Sequence, residues 1–165
     1  MTATEIHTQI PVRLDFDRHA SRFSAALARL DGAATKELDG VDFDAKLREL
    51  VRIRASQLNG CAYCIDMHTK DARAVGETEQ RLYALPAWRE TPFFSERERA
   101  ALAFTETVTL LAQNHVPTEA YDELAAQFSA DEVAALLSLI VTINAWNTIG
   151  VATRAWQPGS YEVSS

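Results

Sequence analysis

The two cysteines of this 165-residue chain lie three positions apart, and a histidine follows four positions after the second one. In an α-helix, Cys61, Cys64 and His68 would fall within an arc of about 60°, because each residue advances about 100° around the axis. Two thiols and one imidazole would then share one face of the helix. A dithiol/disulfide centre with a nearby proton acceptor needs that arrangement.

The position of this pair in the chain favours the reactive thiolate. Asn59-Gly60 is a helix stop and turn signal, so Cys61 is predicted at the exposed start of the next helix. Unpaired N–H groups and the positive end of the helix dipole stabilise a thiolate there. A thiolate can attack a peroxide O–O bond, and the resulting sulfenic acid condenses with a second thiol to give a disulfide and water. The pair could instead exchange with a substrate disulfide, and the spacing alone does not choose between these reactions.

A metal site is the main alternative chemistry. Cys61, Cys64 and His68 are all zinc-ligand types, and a carboxylate could complete a tetrahedron. Structural zinc sites usually take ligands from two separated pairs, however, and this chain has no second pair. We therefore expect neither a metal nor another cofactor. A thioredoxin-like fold is also excluded, because it places its CxxC after a strand in a βαβ unit.

Composition narrows the class of protein further. Apolar residues make up 47% and charged residues 24% of the chain, close to the globular average, which argues against disorder. Sixteen basic and 23 acidic residues give a net charge of −7, which argues against binding to nucleic acid or to anionic membranes. The N-terminal segment has no basic region followed by an apolar run, so we expect no signal peptide, a cytoplasmic location and reduced thiols.

The elements that position these residues are predicted to be the helices of a single domain, 1–165, with a core at about 17–156. Apolar residues recur at helical spacing, and capping boxes at Ser95 and Ser129 each open a helix. The predicted helices span about 17–38, 44–58, 61–74, 77–85, 95–112, 118–128 and 129–153. Only a short piece at Ile6–Leu14 is predicted to be extended, so the fold class is all-α.

Several local features of these helices are also predicted. Phe23, Leu27 and Leu30 share one face of the first helix, which Gly32 could bend. Pro86 is expected in a loop after the fourth helix. Thr118 is expected to cap the sixth.

The segment Val133–Thr153 contains no charged residue and is long enough to span a bilayer. Its serine, threonine and asparagine side chains make it a poor lipid-facing helix. We interpret it as a central helix that is buried on most sides, partly by a second subunit.

Four residues carry a resemblance to a known family. Glu49, Cys61, Cys64 and His68 have the E-x11-C-x2-C-x3-H spacing of the alkylhydroperoxidase D-like proteins, within the carboxymuconolactone decarboxylase superfamily. The surrounding segments 48–68, 88–90 and 95–104 are also similar, and the likeness covers about 45–110. It implies a single-domain helical bundle with the CxxC at the N-terminus of a central helix.

The resemblance also implies an activity and residue roles. Cys64 would be the peroxidatic thiol and Cys61 the resolving one, with Glu49 and His68 in the proton relay. Tyr63 stands where the founding branch has a relay histidine, and we expect it to support the reacting thiol. The implied function is a thiol-dependent peroxidase that acts on hydroperoxides through a dithiol/disulfide cycle. A dithiol, lipoyl-type or thioredoxin-type donor would regenerate it, and the protein would form a homotrimer or hexamer.

Periodicity and resemblance disagree about Glu49. This residue lies opposite the apolar stripe formed by Leu47, Leu50, Val51 and Leu58, so periodicity predicts a solvated surface carboxylate. The resemblance instead requires the CxxC helix to cover that face.

Two other functions are compatible with the residues. One is a lyase like carboxymuconolactone decarboxylase, although that branch does not depend on a CxxC. The other is a non-catalytic redox-sensing protein whose disulfide switches an interface with a partner.

Overall fold

All regular elements among the described residues, Thr8 and 10–163, are helical in this computed structural model. The all-α prediction is therefore confirmed for this part of the chain. The helices are α1 (Phe16–His19), α2 (Ser21–Gly40), α3 (Ala45–Asn59), α4 (Ala62–Ala74), α5 (Glu79–Ala84), a 3₁₀ helix (Leu85–Glu90), α6 (Glu96–Thr109), α7 (Leu111–Asn114), α8 (Thr118–Ala125) and α9 (Ala130–Thr153).

Capping side chains and a left-handed glycine set several of the helix boundaries. The hydroxyls of Ser95 and Ser129 cap α6 and α9, and in each case a glutamate three residues later completes the capping box. Gly60 ends α3 in the left-handed conformation with φ of 71°, which a residue with a Cβ adopts only at a cost. Asp44, at the other end of α3, accepts a hydrogen bond from the Leu47 N–H.

Helix α3 lies at the centre of the bundle and contacts α4, α6 and α9. Leu47 and Val51 belong to one buried apolar cluster, formed with residues of α6, α8 and α9. Leu50 and Ile53 belong to a second cluster, formed with α4, α5, the 3₁₀ helix and α6. An interior helix of this kind has no solvent face along most of its length, which decides where Glu49 lies.

Several local predictions require correction. Leu27 is buried, but Phe23 and Leu30 are 59% and 49% exposed, because α2 packs on α9 through Leu27, Ala34 and Leu38. Gly32 lies inside an uninterrupted α2.

Several boundaries also differ from the predictions. The predicted helix at 17–38 is divided into α1 and α2 at Ala20. Pro86 lies in the first turn of the 3₁₀ helix Leu85–Glu90 rather than in a loop. Thr118 is the first residue of α8 and makes no capping hydrogen bond. The predicted helix at 95–112 is divided into α6 and α7 at Leu110.

Helix α9 is long and apolar enough to cross a membrane by length and composition, and half of its most apolar window is buried within the protein. Its asparagines make polar contacts inside the fold. Asn147 is fully buried and donates to the Ser56 hydroxyl, while Asn59 donates to both Asn147 and Asn144. These bonds hold the C-terminal end of α3 against α9 and so fix the start of α4.

The segments at the two ends of the described chain close over the helices. Of the piece predicted as extended, positions 6, 7 and 9 lie outside the described residues; the remainder forms no strand, and the Arg13 and Leu14 N–H groups donate to the Thr153 carbonyl. The C-terminal segment, residues 154–163, contains no helix or strand. It crosses α4, where Lys70 donates to the Tyr161 carbonyl and Asp66 accepts from the Gly159 N–H.

Candidate active site

Cys61 and Cys64 form a disulfide at the start of α4, with their Cα atoms 5.3 Å apart. Cys61 is the N-cap residue, and its N–H donates to the Ser56 carbonyl at the end of α3. Its position at the helix start is as predicted, but the expectation that it is exposed there is wrong. Cys61 is 2% exposed, since α9 passes directly over its sulfur at Gly150.

Glu49 and His68 meet in the interior. The Nδ1 atom of His68 lies 2.9 Å from Oε2 of Glu49, and both side chains are buried. The other oxygen of Glu49 pairs with Arg52, one turn further along α3. The periodicity-based prediction of a solvated Glu49 is therefore wrong, and the face opposite the apolar stripe is covered by α4.

The surroundings of Glu49 keep it ionised. Burial raises the pKa of its carboxyl, but the hydrogen bond with His68 and the charge of Arg52 outweigh burial, so the pKa lies below its ordinary value. An ionised carboxylate only accepts hydrogen bonds. The His68 ring therefore directs Nδ1–H at Glu49, and Nε2 is the nitrogen that can accept a further proton.

Two residues that the sequence analysis missed extend this pair. Oδ2 of Asp71 lies 3.8 Å from His68 Nδ1, and the Tyr161 hydroxyl donates to Oδ1 of Asp71 over 2.7 Å. The bond to Asp71 raises the pKa of Tyr161 to about 12. Asp71 stands three positions after His68 in α4, and Arg52 stands three positions after Glu49 in α3. Helical spacing could therefore have identified Asp71 and Arg52 as neighbours of the pair. Nothing local to Tyr161 could have done so, because it comes from the C-terminal segment.

Cys64 and His68 open on one cavity of about 360 Å³, the Cys64 cavity. It lies between α2, α3, α4 and α9. Its remaining lining residues are Asp17, Ser24, Asp31, Arg52, Tyr63, Met67, Asp71, Ile143, Trp146 and Trp156. Three aromatic rings form one wall: the Trp156 ring lies 5.8 Å from Tyr63 and 5.5 Å from Trp146. The Trp156 indole is held by a 2.8 Å hydrogen bond to Asp17.

Tyr63 thus supports the site by packing. It forms part of the aromatic wall, and burial, followed by the charge of Asp66, raises the pKa of its hydroxyl. This residue therefore holds its proton and does not replace a histidine as a proton acceptor.

Cys61 opens on a different cavity of about 250 Å³, the Cys61 cavity. The N-terminal segment, the α3–α4 turn, α9 and the C-terminal segment surround it. Its lining residues are Ile10, Arg13, Gly60, Cys61, Ala62, Tyr63, Gly150, Val151, Arg154, Trp156, Gln157 and Pro158. Tyr63 and Trp156 line both cavities and form an aromatic partition between them. Cys64 lines only the first cavity, and Cys61 lines only the second.

The described residues contain one cluster with metal-ligand chemistry. Glu49, His68 and Asp71 place one ligand atom each within 4.8 Å of one another. These atoms already bond to one another or to Arg52 and Tyr161, and the Arg52 charge opposes a cation there. The predicted zinc alternative is not favoured in this state either, because Cys61 and Cys64 are bonded to each other and offer no thiolate.

Comparison with known proteins identifies a family and several relatives of this chain. Residues 22–107 match the model of the carboxymuconolactone decarboxylase family. The uncharacterized protein YdfG of Bacillus subtilis is 50% identical over 105 residues, which cover 64% of this chain and 71% of YdfG. The uncharacterized protein YnjA of Escherichia coli is 34% identical over 98 residues, which cover 59% of this chain and 53% of YnjA.

Solved structures share the fold. A protein of unknown function from Agrobacterium tumefaciens, provisionally named an antioxidant defence protein AhpD, superposes with a TM-score of 0.83 at 32% identity, over 90% of this chain and 99% of that one. The debrominase Bmp8, in complex with 2,3,4-tribromopyrrole, superposes with a TM-score of 0.64 at 23% identity, over 79% of this chain and 69% of that one. At that identity, the second likeness concerns the fold alone.

Proposed function

Because the chain belongs to the carboxymuconolactone decarboxylase family and has an AhpD-like fold with a CxxC disulfide, we propose that it is a thiol-dependent peroxidase. The observation that carries the proposal is the juxtaposition of three groups on two helices. Cys64 and His68 line one cavity, and Glu49 bonds to Nδ1 of the His68 imidazole.

The reduced protein would begin the reaction at Cys64. This residue lies in the first turn of α4, where the helix dipole favours the thiolate, and His68 Nε2 takes the thiol proton. The thiolate attacks the terminal oxygen of the hydroperoxide, and the O–O bond breaks. Cys64 becomes a sulfenic acid, and the departing alkoxide takes the proton from His68 to leave as an alcohol.

Cys61 would complete the oxidation. Its thiol attacks the sulfenic sulfur of Cys64, the disulfide forms and water leaves. Two electrons have then passed from the dithiol to the peroxide. The disulfide in this structure corresponds to the end of that half-reaction, and a dithiol reductant must supply two electrons to restart the cycle.

The test uses the two single cysteine variants. We expect Cys61→Ser to consume one equivalent of cumene hydroperoxide or hydrogen peroxide and to stop, with Cys64 trapped as a sulfenic acid by dimedone. We expect Cys64→Ser to consume none. The measurement is peroxide loss together with mass spectrometry of the labelled peptide. A dimedone adduct on Cys61 in active Cys64→Ser protein would reverse the roles. Oxidation of the wild-type protein without turnover in excess dithiol would instead support a redox-sensing protein.

A further inference from the structure

Access to the disulfide differs at its two ends. Cys64 lines only the larger cavity with His68, and Cys61 lines only the smaller one with Arg13 and Arg154. We infer that the Cys61 cavity is the binding site for the thiol reductant, and that the reductant attacks the sulfur of Cys61. This inference rests on the proposed dithiol cycle, and it adds a second binding site and the direction of the reducing step.

The charges that line the two cavities favour this assignment. The attacking species is a thiolate, which is an anion. Asp17, Asp31 and Asp71 line the Cys64 cavity, where the charge of Arg52 is already paired with Glu49. No aspartate or glutamate is among the described residues that line the Cys61 cavity. A thiolate is therefore repelled at the first cavity and attracted at the second.

Arg13 and Arg154 carry the positive charges that line the Cys61 cavity. Arg13 donates to the carbonyls of Val151 and Ala152, which hold the side chain in place without neutralising it. Within the described part of the chain, neither Arg13 nor Arg154 has an aspartate or glutamate partner in an ion pair. Arg13 and Arg154 both line the cavity that Cys61 lines.

Apolar side chains complete the fit to a dithiol on a hydrocarbon chain. Ile10, Val151 and Pro158 line the Cys61 cavity, and the Trp156 ring closes it on the side of the other cavity. The absence of a side chain at Gly150 leaves room beside the sulfur, since a Cβ atom at that position would lie 3.0 Å from Cys61 Sγ. The occupant is thus a short dithiol whose reacting end is anionic, either free or carried by a protein.

The proposed step balances as a thiol–disulfide exchange. The donor thiolate bonds to Cys61 Sγ, the Cys61–Cys64 bond breaks, and Cys64 leaves as a thiolate beside His68. The second thiol of the donor then attacks the donor sulfur of the mixed disulfide. Cys61 is released as a thiol and the donor leaves as a cyclic disulfide, so two electrons enter the protein. The leaving thiolate is the group that the next peroxide requires.

The first test measures reduction of the oxidised protein in the absence of peroxide, so its result does not depend on peroxidase activity. Dihydrolipoate, which carries a carboxylate, is compared with neutral dihydrolipoamide. We expect Arg154→Glu to slow reduction by dihydrolipoate about tenfold, and reduction by dihydrolipoamide less. Arg29→Glu, an exposed charge reversal on α2 outside both cavities, is the matched control and should keep the wild-type rate.

Asp31→Asn tests the opposite route. If the reductant entered through the Cys64 cavity, removal of a carboxylate there would accelerate the reduction and Arg154→Glu would have no effect. That pair of results would overturn the inference. A lipoyl-bearing protein domain, used in place of the free dithiols, distinguishes the sources of the donor: the same sensitivity to Arg154→Glu would place a protein-borne arm in the same cavity.

The second test locates the attacked sulfur. Oxidised wild-type protein is mixed with the monothiol 2-mercaptoethanesulfonate, quenched in acid, alkylated and sequenced by mass spectrometry. We expect the mixed disulfide on Cys61 and the alkyl group on Cys64. The reverse distribution would show attack at Cys64 and would contradict the inference even if the Arg154 effect were present.

Discussion

Glu49 Oε2 and His68 Nδ1 lie 2.9 Å apart and join α3 to α4 inside the protein. The arrangement separates two tasks that a single carboxylate near a thiol could not perform. Both oxygens of Glu49 are engaged, one with His68 and one with Arg52. In the proposed cycle Glu49 would therefore orient the imidazole, and His68 would exchange protons with the sulfur. A carboxylate next to Cys64 would instead disfavour the thiolate by charge repulsion.

The first prediction concerns this pair. His68→Gln should slow the reaction of the reduced protein with peroxide by about 10²- to 10⁴-fold, the usual contribution of a general base. Glu49→Gln should slow it less, because the imidazole remains but loses its fixed orientation. The double variant should lose less than the product of the two single effects, since both act through one proton transfer.

Stopped-flow measurement of the peroxide reaction checks this prediction, and chemical oxidation serves as the control. In each variant the Cys61–Cys64 disulfide should still form with a chemical oxidant. Wild-type peroxide rates in Glu49→Gln would show that the buried carboxylate has a structural role only.

The interior position of α3 explains why the apolar periodicity wrongly predicted that Glu49 is exposed to solvent. Periodicity identifies a buried face only when the opposite face meets solvent. Here Leu47 and Val51 pack into one apolar cluster, Leu50 and Ile53 into another, and Glu49 points at α4. The family resemblance, which rests on the spacing of Glu49 to the CxxC motif, implied the correct location.

Other features of the site were also predictable only where they depend on residues that are close together in the sequence. The turn at Gly60, the capping boxes and the helical start at Cys61 depend on neighbouring residues and were predictable. Tyr161, Trp156 and Arg13 reach the site only after the chain ends fold over α4 and α9. No short-range pattern encodes those contacts, so neither cavity could be predicted from the sequence.

A second prediction compares two helical glycines. Gly32 in α2 has nothing within 4 Å of where a Cβ would lie, so Gly32→Ala should raise the free energy of unfolding by about 0.5–1 kcal/mol. Gly150→Ala should lose that gain or destabilise the protein, because its Cβ would lie 3.0 Å from Cys61 Sγ. Urea denaturation of the oxidised variants measures both. A Gly150→Ala protein as stable as Gly32→Ala would show that Cys61 moves aside freely.

A third prediction concerns acid stability. Glu106 accepts hydrogen bonds from Trp88, Arg54 and Arg89 at 2.8, 2.7 and 2.5 Å. Burial raises its pKa, but these bonds outweigh burial and hold the pKa below its ordinary value of 4.5. A lowered pKa in the folded state stabilises the protein above the unfolded pKa, and this contribution is lost as the pH falls through the folded pKa.

Glu106→Gln should therefore lower the free energy of unfolding at pH 7 by about 1.5–3 kcal/mol, and the difference from wild type should shrink below about pH 4.5. Denaturant titrations between pH 3 and pH 7 measure this dependence. Glu123→Gln, an exposed change on α8, is the control and should leave stability nearly unaltered. A constant difference across the pH range would mean that the charge of the Glu106 carboxylate does not contribute to stability.

A fourth prediction concerns self-association. Leu137, Val141 and Val151 form an exposed apolar stripe along one side of α9, and Phe23 and Leu30 form another on α2. Exposed apolar side chains arranged in this way are typical of subunit interfaces, so we expect the chain to self-associate. The family resemblance implies that the assembly is a homotrimer or hexamer. Val141→Asp should reduce the mass measured by light scattering while circular dichroism stays unchanged. Val75→Asp, at the end of α4, should keep the wild-type mass. A monomeric wild-type protein at micromolar concentration would contradict the prediction.

The aromatic partition formed by Tyr63 and Trp156 has a kinetic consequence. In an ordinary double-displacement enzyme the two substrates take turns in one pocket, so an excess of either one blocks the other. With a wall between two pockets that share one disulfide, the proposed peroxide and dithiol sites would be occupied at the same time. Velocity at fixed peroxide should then rise to a plateau with increasing dithiol, without a decline at high concentration, and the alcohol product should not compete with the dithiol.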